Sequence, residues 1–476
     1  MNDFVINIKK VMLVFLIFFI ALIFYITYFF MFKSEKVVAS TYNQRLWAER
    51  NKVLRGTIYD RDMVALTKST KISVTSQKQQ YLQGEIFAHA IGYMNPVYGL
   101  TGLEKKYDEE LMGDGDTVVS KLFSFNKKEE AKVGNGLRTT LDSKLQKKAF
   151  TLLKDSKCKG AIVALNPKTG EILAMVSNPS YDPNNLQKNW KEIIANKDVP
   201  LLNRAVSGLY PPGSIFKTIT AVSALENIPN VYNKEFDDNG KLVVNGAQLL
   251  TNYDGEVLGK LNLKTAYMHS SNVYFGSLGI DLGNKALKET AEKFYFNKNI
   301  DATGVTIDPS QFPSYKSNEK GNIAQSAMGQ AAVLATPMEM ALVVSAVANN
   351  GIMMEPMLVK EILSSKGKSL EKTESKQLGE VMTKETAGIM KELMRGVVTD
   401  GTGTNAAVSG IEVSGKTGTA DHKADTSKQE AAHSWFISFA PYENPQIAIA
   451  VIVEEGGVGG GKAATITSEL IKTYLK

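Results

Sequence analysis

Pro211-Pro212-Gly213-Ser214-Ile215-Phe216-Lys217-Thr218-Ile219-Thr220-Ala221-Val222-Ser223-Ala224-Leu225 joins a turn to an apolar run. The two prolines and the glycine interrupt the preceding chain. Ile215, Ile219 and Val222 then recur at the spacing that lines one face of a helix, which predicts a helix buried against a core. A serine in the first turn of such a helix points its hydroxyl into the field of unpaired amide donors, where the negative charge of an attacking oxygen is favoured. A lysine three residues later stands beside it, placed to take the proton. Ser214 is the candidate nucleophile and Lys217 the candidate base.

Spacing alone does not single out this pair, because Ser124, Ser156, Ser317, Ser365 and Ser369 also precede a lysine by three residues. All five lie in polar, lysine-rich stretches that predict solvated loops. Two further triplets separate the candidates. Ser270-Ser271-Asn272 and Lys416-Thr417-Gly418 follow Ser214 in that order, whereas the decoys Ser124-Phe125-Asn126 and Lys168-Thr169-Gly170 fall too early in the chain.

With 476 residues the chain has room for two or three domains, and its 43% hydrophobic content suits a globular core. The net charge of +6 fits an anionic neighbourhood such as a membrane surface or cell wall polymer. Arginines do not cluster with aromatics, so nucleic acid is not an expected partner. The single cysteine, Cys158, excludes an internal disulfide and is assigned no role. Val11 to Phe32 carries no charge and is long enough to cross a bilayer, which predicts a membrane anchor. Lys9 and Lys10 precede the span, while Lys33, Lys36, Arg45 and Arg50 follow it, so a literal charge count would keep the bulk of the chain inside. Long downstream domains cross largely regardless of such charges, and the bulk is expected outside the cytoplasm.

Residues 1–35 are read as a short tail and anchor, 36–135 as a small accessory domain, and 136–476 as the main domain. The segment Lys127 to Lys132 and Gly134-Asn135-Gly136 mark the second boundary. Leu141 to Leu153 and Thr336 to Asn349 read as helices. Ala161 to Leu165 and Glu171 to Val176 read as a hairpin around Asn166-Pro167-Lys168-Thr169-Gly170, and Gly410 to Lys416, Ser434 to Ala440 and Gln446 to Glu454 as three later strands. The expected fold is α+β: one antiparallel sheet shared by the first and last segments, with helices covering it. Gly456-Gly457-Val458-Gly459-Gly460-Gly461-Lys462-Ala463 nearly matches a phosphate-binding loop. Ala463 occupies the position of the required hydroxyl, and the segment reads instead as a loop beside the active site. His422 and His433 with Asp421 and Asp425 read as a polar loop rather than a metal site, and His269 as a packed or surface histidine.

With three ordered triplets on an anchored chain, the sequence resembles the class B penicillin-binding proteins, the monofunctional transpeptidases of peptidoglycan. The likeness extends to Arg55-Gly56-Thr57-Ile58-Tyr59-Asp60-Arg61, Tyr98-Gly99-Leu100-Thr101-Gly102-Leu103-Glu104, Asn203-Arg204-Ala205, Met328-Gly329-Gln330, Thr336-Pro337 and Gly401-Thr402-Gly403. Asp62-Met63 departs from the usual Asn-Gly after Arg61, a change expected to alter only a turn. The resemblance implies a transpeptidase/β-lactamase-like domain with a five-stranded antiparallel sheet. It also implies an acyl-enzyme on Ser214, with Lys217 as base and Ser270 as proton relay. Asn272 would bond Lys217 and the substrate backbone, and Lys416, Thr417 and Thr419 would hold the terminal carboxylate. Gly418 would admit the substrate to the strand, and the amides of Ser214 and Thr419 would form the oxyanion hole. The implied partners are peptidoglycan stem peptides, β-lactams, the cell membrane and a polytopic glycan polymerase, with no cofactor or metal. A D,D-carboxypeptidase, a β-lactamase and a non-catalytic relative stand as alternatives; the β-lactamase is disfavoured because no Glu-x-x-Leu-Asn deacylation motif lies between Ser270 and Lys416.

Overall fold

The computed structural model describes residues 2–32, 47, 50–73, 76–113, 132–246, 248–420 and 431–476. A five-stranded antiparallel sheet organises the main domain. Its strands are β1 (Gly160–Leu165), β2 (Ile172–Asn178), β3 (Ser414–Ala420), β4 (His433–Ala440) and β5 (Ile447–Val453), in the spatial order β3-β4-β5-β1-β2. The chain leaves the sheet after β2 and returns at β3, which among the described residues is an edge strand.

Both faces of this sheet are covered, which removes the apolar/polar alternation of a half-solvated strand. Along β5, Ala448, Ala450 and Ile452 join one hydrophobic cluster, while Ile447, Ile449, Val451 and Val453 join the other. The anchor helix α1 spans Asn2–Phe32; α2 (Ser143–Asp155), α5 (Pro337–Ala348), α6 (Lys384–Thr399) and α7 (Lys462–Leu475) pack on the sheet, and α3 (Lys217–Asn227) packs against α4 (Asn272–Lys293). Every residue of α5 is buried, and it lies on the alanine-bearing side of β5, where small side chains let the helix approach. On the opposite face, Leu145 and Phe150 of α2 pack with Ile466 and Leu470 of α7. Asp142 accepts a hydrogen bond from Leu145 N at the start of α2, and Thr336 accepts one from Glu339 N ahead of Pro337, so both helices begin just after the residues read as their first.

Three readings need correction. The strand expected at Gly410 to Lys416 instead begins at Ser414 and carries the whole Lys-Thr-Gly triplet, because Gly410, with φ 78°, belongs to the preceding turn. Glycine weakens a strand by propensity. Here it is required by packing: a Cβ on Gly415 would stand 2.6 Å from Phe436 Cζ, and one on Gly418 2.9 Å from Ile215 Cγ2. Ser214 lies in a 3₁₀ turn, Gly213–Phe216, that runs into α3, and every residue from Ile215 to Ala224 is buried, so no single face carries the packing. Ser369 opens an exposed strand, Ser369–Lys372, rather than a loop.

Ile58–Tyr59 of the N-terminal region pairs in parallel with Gly136–Thr139, which pairs on its other side with Val359–Leu363. Arg55 is buried there between Glu104, at 2.5 Å, and Asp108, at 2.7 Å. The Asp62-Met63 turn is kept: Asp60 Oδ1 accepts from Asp62 N and Val64 N, and Met63 takes the left-handed conformation at φ 64°. Within α1, Ile6–Phe29 is long and apolar enough to cross a membrane, and none of its side chains is buried.

Candidate active site

The edge of β3, the start of α3 and the turn before α4 meet at the free side of the sheet. Ser271 caps α4 through Tyr274 N, which leaves the flanking Ser270 and Asn272 available for other contacts. Ser270 itself is left-handed at φ 59°, an arrangement that non-glycine residues adopt only when their surroundings hold them there. Its hydroxyl lies between two lysines, 3.3 Å from Lys217 Nζ and 2.9 Å from Lys416 Nζ. Lys217 Nζ also donates to Ser270 O at 2.7 Å and to Asn272 Oδ1 at 2.8 Å. Asn272 Nδ2 donates to Thr251 O at 3.0 Å.

Both lysines have 0% exposure. Burial first, and then the neighbouring Lys416, hold the Lys217 amine well below its ordinary range, with Asp238 opposing. Burial pushes Lys416 down to about 7. A neutral amine has two N–H donors and one lone pair, and Ser270 O and Asn272 Oδ1 account for the donors of Lys217. Its lone pair is then free for a hydroxyl proton, which is what a general base requires. Ser214, one turn before Lys217, is half-buried, and no hydrogen bond engages its hydroxyl among the described residues.

Packing fixes the Ser214 turn against β3. Gly213 has φ 56°, and a Cβ there would fall 2.5 Å from Thr419 O, so glycine is needed both for the turn and for the approach. Gly213 N donates to Gly329 O at 3.0 Å, and Trp435 Nε1 on β4 donates to Pro211 O at 3.1 Å. The amides of Ser214 and Thr419 therefore belong to segments in direct contact. Along β3, Thr417 is buried with its hydroxyl 2.6 Å from that of Thr402, while Thr419 Oγ1 accepts from Gly459 N at 3.2 Å. The glycine-rich loop is thus seated beside the triplet, where a Cβ on Gly459 would stand 2.3 Å from Gly418 O.

The decoys lie elsewhere. Ser156 Oγ donates to Leu153 O at the end of α2, Ser317 and Ser365 are exposed in turns, Lys168 to Gly170 form the β1–β2 turn, and Ser124 lies outside the described residues. His269 is exposed. His433, read as part of a polar loop, instead opens β4 and is buried edge-on to Tyr210, with Nδ1 accepting from Glu455 N; Asp421, His422 and Asp425 lie outside the described residues. Those residues that are described contain no cluster of metal-ligating side chains. Three residues of the site escaped the sequence reading: Thr402, which stands inside a motif already noted, and Asp238 and Asn252, which sit in a polar stretch without any motif.

Two family models cover this architecture. Residues 160–472 match the penicillin binding protein transpeptidase domain, and residues 55–137 match the penicillin binding protein A dimerisation domain. The chain belongs to the penicillin-binding protein transpeptidase family. It is 31% identical over 416 residues to peptidoglycan D,D-transpeptidase PbpA of Mycolicibacterium smegmatis, covering 83% of this chain and 84% of that protein. To peptidoglycan D,D-transpeptidase MrdA of Acinetobacter baumannii it is 30% identical over 441 residues, 82% of this chain and 65% of the other. Among solved structures, the ceftriaxone acyl-enzyme complex of penicillin-binding protein A from M. tuberculosis superimposes with a TM-score of 0.84 at 30% identity, covering 90% of this chain and 100% of that one.

Proposed function

We propose that this chain is a membrane-anchored serine D,D-transpeptidase that crosslinks peptidoglycan stem peptides and is acylated by β-lactams. The observation that carries the reading is the placement of Ser270 Oγ between two buried lysine amines, next to the turn that presents Ser214. Ser214 Oγ attacks the carbonyl between two D-alanines while Lys217 takes its proton. The oxyanion is held by the amides of Ser214 and Thr419, at roughly 3 to 4 kcal/mol for each donor. Ser270 passes a proton from the lysines to the leaving amine, so the bond breaks without releasing an unstable anion. Lys416 with Thr417 and Thr419 holds the terminal carboxylate, and Gly418 lets the peptide lie along the edge of β3. Asn272 keeps Lys217 aligned. An amine from a second strand then attacks the acyl carbonyl and frees Ser214.

In this reading residues 1–35 anchor the chain, 36–135 form the accessory domain and 136–476 the catalytic domain. The catalytic domain faces outward, where its substrate lies, and a polytopic glycan polymerase is the expected partner. Supplying stem pentapeptide with a D-amino acid acceptor tests the activity. Release of D-alanine with incorporation of the acceptor is expected, whereas release with hydrolysis alone would identify a carboxypeptidase. A reporter enzyme fused at the C-terminus and active only in the cytoplasm would refute the orientation.

A further inference from the structure

Asp238 is fully buried, and its carboxylate is saturated by hydrogen bonds from three directions. Oδ1 accepts from Gly240 N at 2.9 Å, and both oxygens accept from Asn252 Nδ2 at 2.9 Å. Oδ2 also accepts from Ser271 Oγ at 2.6 Å. Asn252 continues the set, its Oδ1 accepting from Asn272 N at 2.8 Å and from Val273 N at 3.1 Å, while its Nδ2 also donates to Glu256 O at 2.9 Å. These are the first amides of α4, and Ser271 Oγ takes the next one, that of Tyr274. The N-terminal donors of α4 that a lone cap leaves unsatisfied are thus met by one connected group.

The segment that supplies this group forms two small sheets of its own: Phe236–Asp238 pairs with Gly259–Leu261, and Lys241–Val244 with Gln248–Thr251. Phe236 packs edge-on to Tyr274 of α4, and Leu261 joins the core. Val243, Leu249, Tyr253 and Val257 on it are exposed. Beyond these apolar contacts, the segment directs a buried carboxylate and a buried amide at the backbone of a single turn. That turn holds Ser270 in its left-handed conformation and sets where Ser270 Oγ and Asn272 Oδ1 meet Lys217.

We propose that Asp238, acting with Asn252, is a positioning residue that locks the Ser270–Asn272 turn and so keeps the Ser270 hydroxyl between Lys217 and Lys416. The inference rests on the transpeptidase reading above. Asp238 touches neither reacting atom nor substrate; it acts through Ser271 and the α4 amides. A carboxylate suits the task better than an amide because all its contacts require an acceptor, and a neutral side-chain amide offers only one oxygen. The charged groups facing the turn from the other two segments are Lys217 and Lys416, and the Asp238 anion opposes the depression of the Lys217 amine.

The test compares Asp238→Asn, Asp238→Ala and Asn252→Ala with wild type in the detergent-solubilised full chain, measuring acylation by fluorescent penicillin as a rate constant and an apparent Kd. Expected is a fall of about 10- to 100-fold in the acylation rate constant for all three variants, with Kd nearly unchanged, since a small misplacement of reacting groups acts on the chemical step. The acid limb of the pH profile should move to lower pH in both Asp238 variants and stay in place in Asn252→Ala. Leu470→Ala, a destabilising change on the opposite side of the sheet, should lower the melting temperature without changing the acylation constant. Should Asp238→Ala be too unstable to isolate, Asp238→Asn and Asn252→Ala carry the same expectation. Acylation constants within two-fold of wild type in Asn252→Ala and either Asp238 variant would overturn the proposal, as would a loss matched by Leu470→Ala. Failure of the underlying reading is recognised separately, by labelling that persists in Ser214→Ala.

Discussion

Replacing Lys416 by methionine should make the protein more stable and less active. Lys416 is fully buried, and burial lowers its ammonium from an ordinary 10.5 to about 7. Such a displacement corresponds to roughly 4 to 5 kcal/mol against folding. The sign follows from proton counting. Between about pH 7 and 10.5 the unfolded chain binds the proton and the folded chain does not, so stability rises with pH across this window and the penalty is complete below it. Methionine removes the penalty, fills a similar volume and keeps contact with the Tyr267 ring, over which Lys416 Nζ stands at 5.5 Å. Against this, Ser270 Oγ and Thr417 O lose a donor, at about 1 to 3 kcal/mol. The net is a gain of about 1 to 4 kcal/mol near pH 6 that is lost by about pH 10. Urea unfolding of the full chain at several pH values measures it, and penicillin acylation of the same samples should fall by at least about ten-fold, the worth of one charged hydrogen bond. A variant less stable than wild type at pH 6, or an advantage independent of pH, would refute the reasoning.

Three further expectations concern single groups. Acylation efficiency with a carboxylate-bearing β-lactam should rise on the acid side as Lys217 loses its proton and fall again above about pH 7 as Lys416 loses its charge, giving a bell-shaped profile in rate measurements. Met63→Gly, at an exposed left-handed position, should raise the urea midpoint by the equivalent of about 0.5 to 1 kcal/mol without altering acylation. Glu339 is buried, and burial holds its carboxyl well above the ordinary 4.5, with the Ser310 hydroxyl opposing. Glu339→Met should therefore stabilise the protein at pH 7 to 8, with the advantage vanishing near pH 4, where the carboxyl is protonated in both states.

The chemistry-bearing positions were legible because each sits in a short pattern with a physical cause. Ser214 and Lys217 follow a proline-glycine turn, and Gly418 lies where Ile215 leaves no room for a side chain. The sheet could be inferred from β-rich runs at both ends of the main domain, although β3 was misplaced because its glycines lower strand propensity while ring packing against Phe436 demands them. The 3₁₀ turn at Ser214 could not be separated from an α-helix by apolar spacing. Asp238 and Asn252 were illegible for a different reason: a buried acceptor for distant amides has no local pattern, and only the meeting of residues far apart in the chain reveals it. Thr402 lay within a motif already noted, but its contact with Thr417 depends on a turn whose course the sequence leaves open.

The proposed chemistry requires Ser214 to be the residue that becomes acylated. Peptide mapping by mass spectrometry of the penicillin-treated full chain should find the adduct on the peptide containing Ser214, and none in Ser214→Ala. An adduct carried by Ser270, Ser156 or any other serine in the wild-type protein would contradict it.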